Sequence, residues 1–349
     1  DGVVPLTHGG GCGMASSGLE MDVLRRTLAG YARHANMAAV VMLGLGCETN
    51  QVSALMQAEG LAEGPKLIPM AIQEEGGVAK TAARAAAFIR ELLPDANDVR
   101  RVPIPVSELI LALQCGGSDG YSGITANPAL GAAVDELVRH GGTAILSETP
   151  EIYGAEHLLT RRAATREVGE KLVERIKWWE DYTSRNKMEM NNNPSPGNKQ
   201  GGLTNIFEKS LGAVAKGGTA ILADVVDYAE SIPNLPGLVF MNTPGYDPVS
   251  LTGLAAGGAN LIVFTTGRGS AIGFPTVPVL KVSSNTDIFD RMRENIDINA
   301  GSIMDGTASV AQVGEEILQQ LIRVASGMRT ASETLGHQEF VPWRIGPVL

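Results

Sequence analysis

Short, continuous apolar runs that end in polar or glycine-rich turns recur along the chain. Seven of them have the length of buried strands, at residues 38–43, 109–113, 143–146, 219–222, 238–241, 261–264 and 279–282. Amphipathic stretches of helical period lie between them, at residues 21–34, 80–93, 129–140, 162–186, 205–216 and 314–325. Apolar strands separated by amphipathic helices are typical of parallel sheets covered on both faces. The pattern therefore predicts an α/β fold with two Rossmann-like three-layer domains and mainly parallel sheets.

Residues 191–202 interrupt this pattern with the sequence Asn-Asn-Asn-Pro-Ser-Pro-Gly-Asn-Lys-Gln-Gly-Gly. This composition argues against a helix or a central strand, and it predicts a boundary between a first domain at 1–190 and a second at 203–349. A solvated linker would explain the segment. Because its two prolines stiffen the path, we instead expect an ordered inter-domain loop that brings Lys199 to a cleft.

Composition narrows the class of protein. The formal net charge of −10 and the pI near 5.1 argue against a sequence-independent grip on nucleic acid, which needs clustered Lys and Arg. No apolar run approaches the ~20 residues of a membrane helix. With only 3 cysteines there is no disulfide framework, so we expect the reducing cytoplasm. Because the chain starts directly in an apolar run, we also expect sequence upstream of it.

Each cysteine lies where an apolar run gives way to a glycine-rich turn. The three are Cys12, Cys47 and Cys115. In α/β sheets ligands bind outside the carboxyl ends of the strands, where glycine allows a close approach of the backbone. This placement predicts one shared site, although three buried thiols that pack as small hydrophobic groups would also explain it.

Several motifs occur in a fixed order along the whole chain. They include Gly-Leu-Gly-Cys-Glu at 44–48, Leu-Gln-Cys-Gly-Gly-Ser-Asp at 113–119, Ser-Glu-Thr at 147–149, Pro-Gly-Asn-Lys at 196–199 and Phe-Thr-Thr-Gly-Arg-Gly at 264–269. In these motifs the chain resembles the altronate dehydratase and galactarate dehydratase family. The resemblance implies the large catalytic domain of an iron-dependent lyase that acts on a small anionic hydroxy acid. It also implies a small β-clip domain or subunit outside this chain.

The branch within the family is less clearly marked. Residues 191–199 and 243–248 look like the altronate branch, whereas Ala300 and Phe274 stand where many altronate enzymes are expected to have cysteine. The family also includes galactarate dehydratase and the large subunit of (2R)-sulfolactate sulfo-lyase, which expels sulfite. Both stay open as alternatives to an altronate-type hydro-lyase.

Dehydration of a hydroxy acid removes the proton beside a carboxylate and expels the neighbouring hydroxyl, so negative charge accumulates and must be stabilised. A divalent metal can do this, and thiolate, imidazole and carboxylate ligands suit iron. The predicted metal ligands are His8, Cys12, Cys47, Glu48 and Cys115. Two hypotheses remain: a single Fe²⁺ held by His8 and Glu48 with one or more thiolates, or a [4Fe–4S] cluster on the three cysteines.

The remaining candidates are polar residues in the same motifs. We expect Lys199, Glu148 and Asp119 to be catalytic, with Lys199 as a general base or a partner of the substrate carboxylate. Arg268, Asn198, Thr266 and Ser118 are expected to bind the substrate. Arg268 could clamp a carboxylate with two hydrogen bonds, whereas Asp119 could also merely cap the following helix.

Two other classes of function are weaker. Gly44 and Gly46 suggest a dinucleotide-binding turn, but no third glycine follows at the required spacing. A non-catalytic scaffold would need a partner to supply the site. We expect a homo-oligomer that binds neither nucleic acid nor membrane.

Overall fold

The computed structural model describes residues 2–233 and 235–346. Its strands are β1 (Val40–Gly44), β2 (Leu67–Ala71), β3 (Ile110–Cys115), β4 (Thr143–Leu146), β5 (Leu222–Val226), β6 (Gly237–Met241), β7 (Leu261–Thr266), β8 (Val279–Ser283) and β9 (Ile298–Asn299). Its α-helices are α1 (Leu19–Arg33), α2 (Val52–Ala58), α3 (Val78–Asn97), α4 (Ala126–Arg139), α5 (His157–Thr160), α6 (Arg166–Arg185), α7 (Pro196–Gln200), α8 (Ile206–Ala215), α9 (Asp247–Ala256), α10 (Thr286–Arg291), α11 (Val310–Ala325) and α12 (Ala331–Thr334). Short 3₁₀ turns occur at Val106–Glu108, Thr149–Ile152, Met190–Asn192 and Ala300–Ile303.

The strands form two parallel sheets. β1 pairs with β2, and the other seven form one sheet in the order β5-β6-β4-β3-β7-β8-β9. Helices cover both faces of the large sheet. Successive residues of each strand point to opposite faces, so each strand contributes side chains to both cores. On β3, Leu111 and Leu113 enter the core that contains α4 and α11, whereas Ala112 enters the core that contains α9. The predicted three-layer α/β fold is confirmed.

The large sheet contains strands from both sides of residues 191–202. β3 and β4 precede this segment, whereas β5 to β9 follow it. The division into domains at 1–190 and 203–349 stays a prediction. The segment therefore connects strands that belong to the same sheet.

Local structure departs from the sequence pattern at several places. The strand predicted at 219–222 lies further along the chain, as β5 at Leu222–Val226. The strands β2 and β9 were not predicted: β2 contains Pro69, which lacks a donor for a sheet hydrogen bond, and β9 has 2 residues. The exclusion of a helix from residues 191–202 was wrong, because α7 lies there. Ser195 accepts a hydrogen bond from the backbone N–H of Asn198, and Pro196 opens the helix, so the polar residues act as a cap.

The order of the strands defines one special position at the carboxyl edge. After β3 the chain moves to β4 on one side, and it later returns as β7 on the other side of β3. Such a reversal in direction is where open α/β sheets bind ligands. In this chain it lies between the loops that follow β3 and β7.

No helix within the described residues has both the length and the apolarity that a membrane crossing requires.

Candidate active site

The loops that follow β3 and β7 are joined at the reversal point. The carbonyl of Gly117 accepts hydrogen bonds from the backbone N–H groups of Gly267 at 3.1 Å and Arg268 at 2.9 Å. The N–H of Gly120 donates to the carbonyl of Gly201 at 2.8 Å, which attaches α7 to the same loop. Five predicted site residues are therefore brought to one edge of the sheet: Ser118, Asp119, Asn198, Thr266 and Arg268.

Asp119 connects this edge to the loop that follows β8. Its buried carboxylate accepts hydrogen bonds from Ser122 Oγ at 2.8 Å, Ser284 Oγ at 2.7 Å and Asn285 Nδ2 at 3.0 Å. Gly267 must be glycine here, since a Cβ would lie 2.1 Å from Cγ of Asp119. These contacts favour a positioning role for Asp119 over proton transfer.

Ser118 and Asn198 approach each other from different loops. Asn198 Nδ2 donates to the carbonyl of Ser118 at 2.8 Å, and both residues are buried. Among the residues that the structure describes, no partner is found for the buried hydroxyl of Ser118. Thr266 uses its hydroxyl to accept the N–H of Gly269 at 3.0 Å. The Ser118 hydroxyl is thus free for a ligand, whereas Thr266 shapes the loop.

Two exposed side chains at this edge of the sheet are basic. Lys199 belongs to α7, and Arg268 follows β7. Both side chains lie on elements fixed by the backbone hydrogen bonds described above. An anionic ligand at this edge would meet cationic groups on ordered supports.

A group of buried ionisable side chains lies beside the end of β3. We call Cys115, Glu148, Glu151, Lys209 and Lys216 the ionic cluster; each is at most 7 % exposed. Lys216 Nζ lies 3.0 Å from Cys115 Sγ and 3.7 Å from Glu148 Oε2. Lys209 Nζ lies 2.7 Å from Glu151 Oε1. Two ammonium groups thus face two carboxyl groups and one thiol.

Glu148 has the most unusual environment in the ionic cluster. Its backbone is left-handed, with φ of 67°, at the end of β4, and neither carboxyl oxygen has a hydrogen-bond partner within the described residues. Burial raises the pKa of this carboxyl well above its usual range, Glu151 raises it further, and Lys216 opposes them. The environment therefore favours the uncharged form of this carboxyl more than water does. Strained, buried acids of this kind are common at active sites.

Asp247 lies against the same strand end. Gln114 Nε2 donates to its carboxylate at 2.9 Å, and burial raises the pKa of Asp247 to about 6. A Cβ on Gly116 would lie 2.1 Å from Asp247 Oδ2. The glycine after Cys115 is thus needed for the approach of this carboxylate.

By distance, part of the ionic cluster could hold a metal ion. One ligand atom from each of Cys115, Glu148 and Glu151 lies within 4.8 Å of the others. The two ammonium groups already compensate the carboxylates, however, and burial raises the pKa of the Cys115 thiol. A dication would add uncompensated positive charge to the interior, so these residues fit a metal poorly as the structure shows them.

The other predicted metal ligands lie on a different part of the chain, before α1 and after β1. His8 accepts the N–H of Gly10 through Nδ1 at 3.1 Å. Desolvation lowers the pKa of His8, and the nearby Glu48 carboxylate opposes this effect only in part. Cys12 and Cys47 are exposed, unlike Cys115. Imidazole, carboxylate and thiol groups suit Fe²⁺, so this set fits the metal in chemical type. Within the described residues, however, no three ligand atoms of this set lie within 4.8 Å of one another. Participation of Cys115 in a three-cysteine cluster stays a prediction.

Sequence reasoning missed several charged residues of this region. Glu151, Lys209, Lys216 and Asp247 were not predicted as site residues. Lys209 carried a usable signal, since it lies on the same helical face as Ile206 and Ala213, which are buried. A lysine within an apolar stripe requires an acidic partner, but the sequence does not name that partner.

Comparison with known proteins places these features in a family. The C-terminal domain model of D-galactarate/altronate dehydratase matches residues 106–348, and the second-domain model of D-galactarate dehydratase/altronate hydrolase matches residues 1–97. The chain belongs to the D-galactarate/altronate dehydratase family. The resemblance seen in the sequence motifs is confirmed. Altronate and galactarate dehydratases are hydro-lyases, so the chain is grouped with carbon–oxygen lyases.

Individual relatives differ in substrate and in length. Altronate dehydratase of Bacillus subtilis is 36% identical over 349 residues, which are 100% of this chain and 69% of that protein. Galactarate dehydratase (L-threo-forming) of Escherichia coli is 37% identical over 331 residues, 93% of this chain and 63% of that protein. (2R)-Sulfolactate sulfo-lyase subunit beta of Chromohalobacter salexigens is 34% identical over 336 residues, 95% of this chain and 85% of that protein. The chain thus spans less than two thirds of the galactarate enzyme.

Proposed function

We propose that this chain is the catalytic part of an iron-dependent hydro-lyase that removes water from a sugar acid of the altronate type. The observation that carries the proposal is Glu148, a buried acid whose pKa is raised by burial and whose carboxyl oxygens have no hydrogen-bond partner within the described residues. It lies at the end of β4, next to the strand where the sheet order reverses. A family of dehydratases supplies the reaction class.

The reaction needs an acid for the departing hydroxyl and a base for the proton beside the carboxylate. Glu148 donates the proton to the hydroxyl as it leaves. Lys199, acting as the neutral amine, takes up the other proton, and Arg268 binds the substrate carboxylate with two hydrogen bonds. Ser118 Oγ, which is buried and has no partner within the described residues, donates to a substrate oxygen. Asp119 holds the loops after β3 and β8 together through its hydrogen bonds.

The donor set His8, Cys12, Cys47 and Glu48 would hold the iron. When bound, iron supplies a positive charge for the enediolate that develops at the substrate carboxylate. The alternative of a [4Fe–4S] cluster on Cys12, Cys47 and Cys115 requires the thiolate of Cys115, whose ionisation burial opposes. A full site would combine this donor set with the loops at the carboxyl edge of the large sheet.

The proposal also covers the oligomeric state, the location and the partner of the enzyme. We expect a homo-oligomer in the cytoplasm, with a small β-clip domain or subunit as a partner. The relative named as subunit beta of a sulfo-lyase supports a partner subunit, because its name implies a second chain.

Purified protein, prepared without oxygen and loaded with Fe²⁺, tests the function. Altronate, galactarate and sulfolactate are offered separately, and formation of a 2-keto-3-deoxy acid or of sulfite is measured. We expect turnover of altronate and loss of activity after chelation of iron. The proposal fails if no sugar acid is dehydrated by protein that is folded and joined to its partner.

Iron and acid-labile sulfide on the same preparation distinguish the metal hypotheses. We expect about one iron per chain without sulfide, as for a mononuclear site. Cys47→Ser should then lower the iron content, whereas the buried Cys115→Ser should not. About four irons with matching sulfide would instead favour the three-cysteine cluster.

A carbon–sulfur lyase is the second candidate. It is favoured by one observation: a relative named as a sulfo-lyase subunit is 34% identical over 95% of this chain. Release of sulfite from sulfolactate, with no dehydration of altronate, would select it.

A further inference from the structure

The side chain of Asn193 lies between two buried charges. Its Nδ2 donates to Glu151 Oε1 at 2.6 Å, and its Oδ1 accepts from Lys209 Nζ at 2.9 Å. The two charged groups also contact each other directly at 2.7 Å. We call these three residues the Asn193 clamp.

An amide is the side chain that suits this position. The charged side chains of Lys209 and Glu151 are 6% and 4% exposed, so the hydrogen-bonding capacity of each must be met within the protein. An amide offers one donor for the carboxylate and one acceptor for the ammonium group. A carboxylate at position 193 would repel Glu151, and an apolar side chain would leave both charges with fewer bonds.

The clamp fixes one end of a short segment whose other end is also anchored. Ser195 caps α7, and Asn198 donates to the carbonyl of Ser118 at 2.8 Å. The carbonyl of Gly201 accepts the N–H of Gly120. Lys199 therefore lies between an attachment to the ionic cluster and an attachment to the loop after β3.

We propose that the buried Glu151–Lys209 pair acts through Asn193 as a positioning device for Asn198 and Lys199. The Glu151–Lys209 pair contacts the segment through the amide of Asn193. In this proposal the two charges position the segment and do not contact the substrate. The consequence for catalysis rests on the proposed function, in which Lys199 takes up a proton. The order of the segment does not depend on that function.

The chain offers a matched pair of variants in Asn193→Ala and Asn191→Ala. Asn191 is exposed in the same segment, and its Oδ1 accepts the N–H of Ile206 at 3.1 Å, with no hydrogen bond to the clamp within the described residues. Trypsin cleaves after exposed lysine once the helix around it opens. The site of cleavage is identified by mass spectrometry under native conditions, and steady-state kinetics are measured on the iron-loaded protein with its partner.

We expect Asn193→Ala to be cleaved after Lys199 about ten-fold faster than the parent, because local opening of α7 becomes easier. Asn191→Ala should be cleaved at the parent rate. For Asn193→Ala, kcat should fall about ten-fold or more with a smaller change in KM, since a misplaced group costs rate more than binding. Hydrogen exchange at the Lys199 amide gives a second measure of the same opening.

The two readouts separate failure of this proposal from failure of the proposed function. Equal cleavage of Asn193→Ala and Asn191→Ala would overturn the clamp. Faster cleavage of Asn193→Ala with unchanged kcat would overturn the role of the clamp in catalysis. If the parent dehydrates no sugar acid, the proposed function fails, and the cleavage rates still decide whether the clamp orders Lys199.

Discussion

Lys216 Nζ lies 3.0 Å from Cys115 Sγ, and both side chains are buried. The ammonium group also faces Glu148 at 3.7 Å, on the neighbouring strand end. Burial lowers the pKa of Lys216, but the negative charge that Cys115 and Glu148 can carry outweighs this effect and raises the pKa overall. The cation is therefore retained in the interior, where it stabilises negative charge that forms on Glu148 or Cys115.

Replacement of Lys216 by Met should destabilise the protein. The change removes the cation that faces Glu148 and Cys115, and loss of one partner from a buried pair costs about 3 kcal/mol. Urea unfolding at pH 7 measures the free energy. The double variant Glu148→Gln, Lys216→Met should recover part of the loss, because it leaves no ionisable group at position 148 to compensate. An equal loss of the free energy of unfolding in the single and double variants would show that the effect comes from lost packing of the Lys216 side chain and not from its charge.

Glu148→Gln should abolish most of the lyase activity while the fold is kept. The amide has the same shape but cannot donate an acidic proton, so kcat should fall by about 10² to 10⁴. Single-turnover kinetics on iron-loaded protein check this. The exposed Glu170→Gln on α6 serves as the control. Activity of Glu148→Gln near that of the control would remove Glu148 from the mechanism.

Asp119→Ala should destabilise the protein more than Asp119→Asn. Alanine deletes the acceptor that holds Ser122, Ser284 and Asn285, and their buried donors lose a partner at a cost of about 3 kcal/mol in total. Asparagine retains one acceptor oxygen and should cost about 1 kcal/mol. Urea unfolding of both variants tests the order. If Asp119 were instead a proton-transfer group, both variants would unfold like the parent and lose activity equally.

Lys281→Met should stabilise the protein at neutral pH. Lys281 is fully buried on β8, and this burial lowers its pKa from 10.5 to about 8. Between these values the unfolded chain binds more protons than the folded one, so the free energy of unfolding of the parent rises with pH from about 8 to 10.5. The variant should lose this rise and gain up to about 3 kcal/mol at pH 7.

Urea unfolding of the parent and of Lys281→Met from pH 7 to pH 10 provides the measurement. The exposed Lys177→Met on α6 should leave the pH dependence unchanged. A parent whose stability is flat or falls over this range would show that the buried ammonium group is compensated. Asp297, whose carboxylate raises the pKa of Lys281 against the effect of burial, is the group that would then be responsible.

The amino-acid sequence by itself determined the fold class and the edge of the sheet that carries the candidate site. Apolar runs such as 109–113 and 261–264 are long enough only for strands, and the motifs that end them predicted Ser118, Asp119, Thr266 and Arg268 at one edge. This succeeded because a parallel sheet places the carboxyl ends of all its strands together.

Tertiary structure alone decided which polar residues meet. Lys209 and Glu151 are 58 residues apart in the chain, and their pairing depends on the packing of α8 against the turn after β4. It also separated Cys115, buried beside Lys216, from the exposed Cys12 and Cys47. Similar glycine-rich turns surround all three cysteines, so local sequence gives them the same appearance. Their burial and their charged neighbours depend on strand order, which local patterns do not encode.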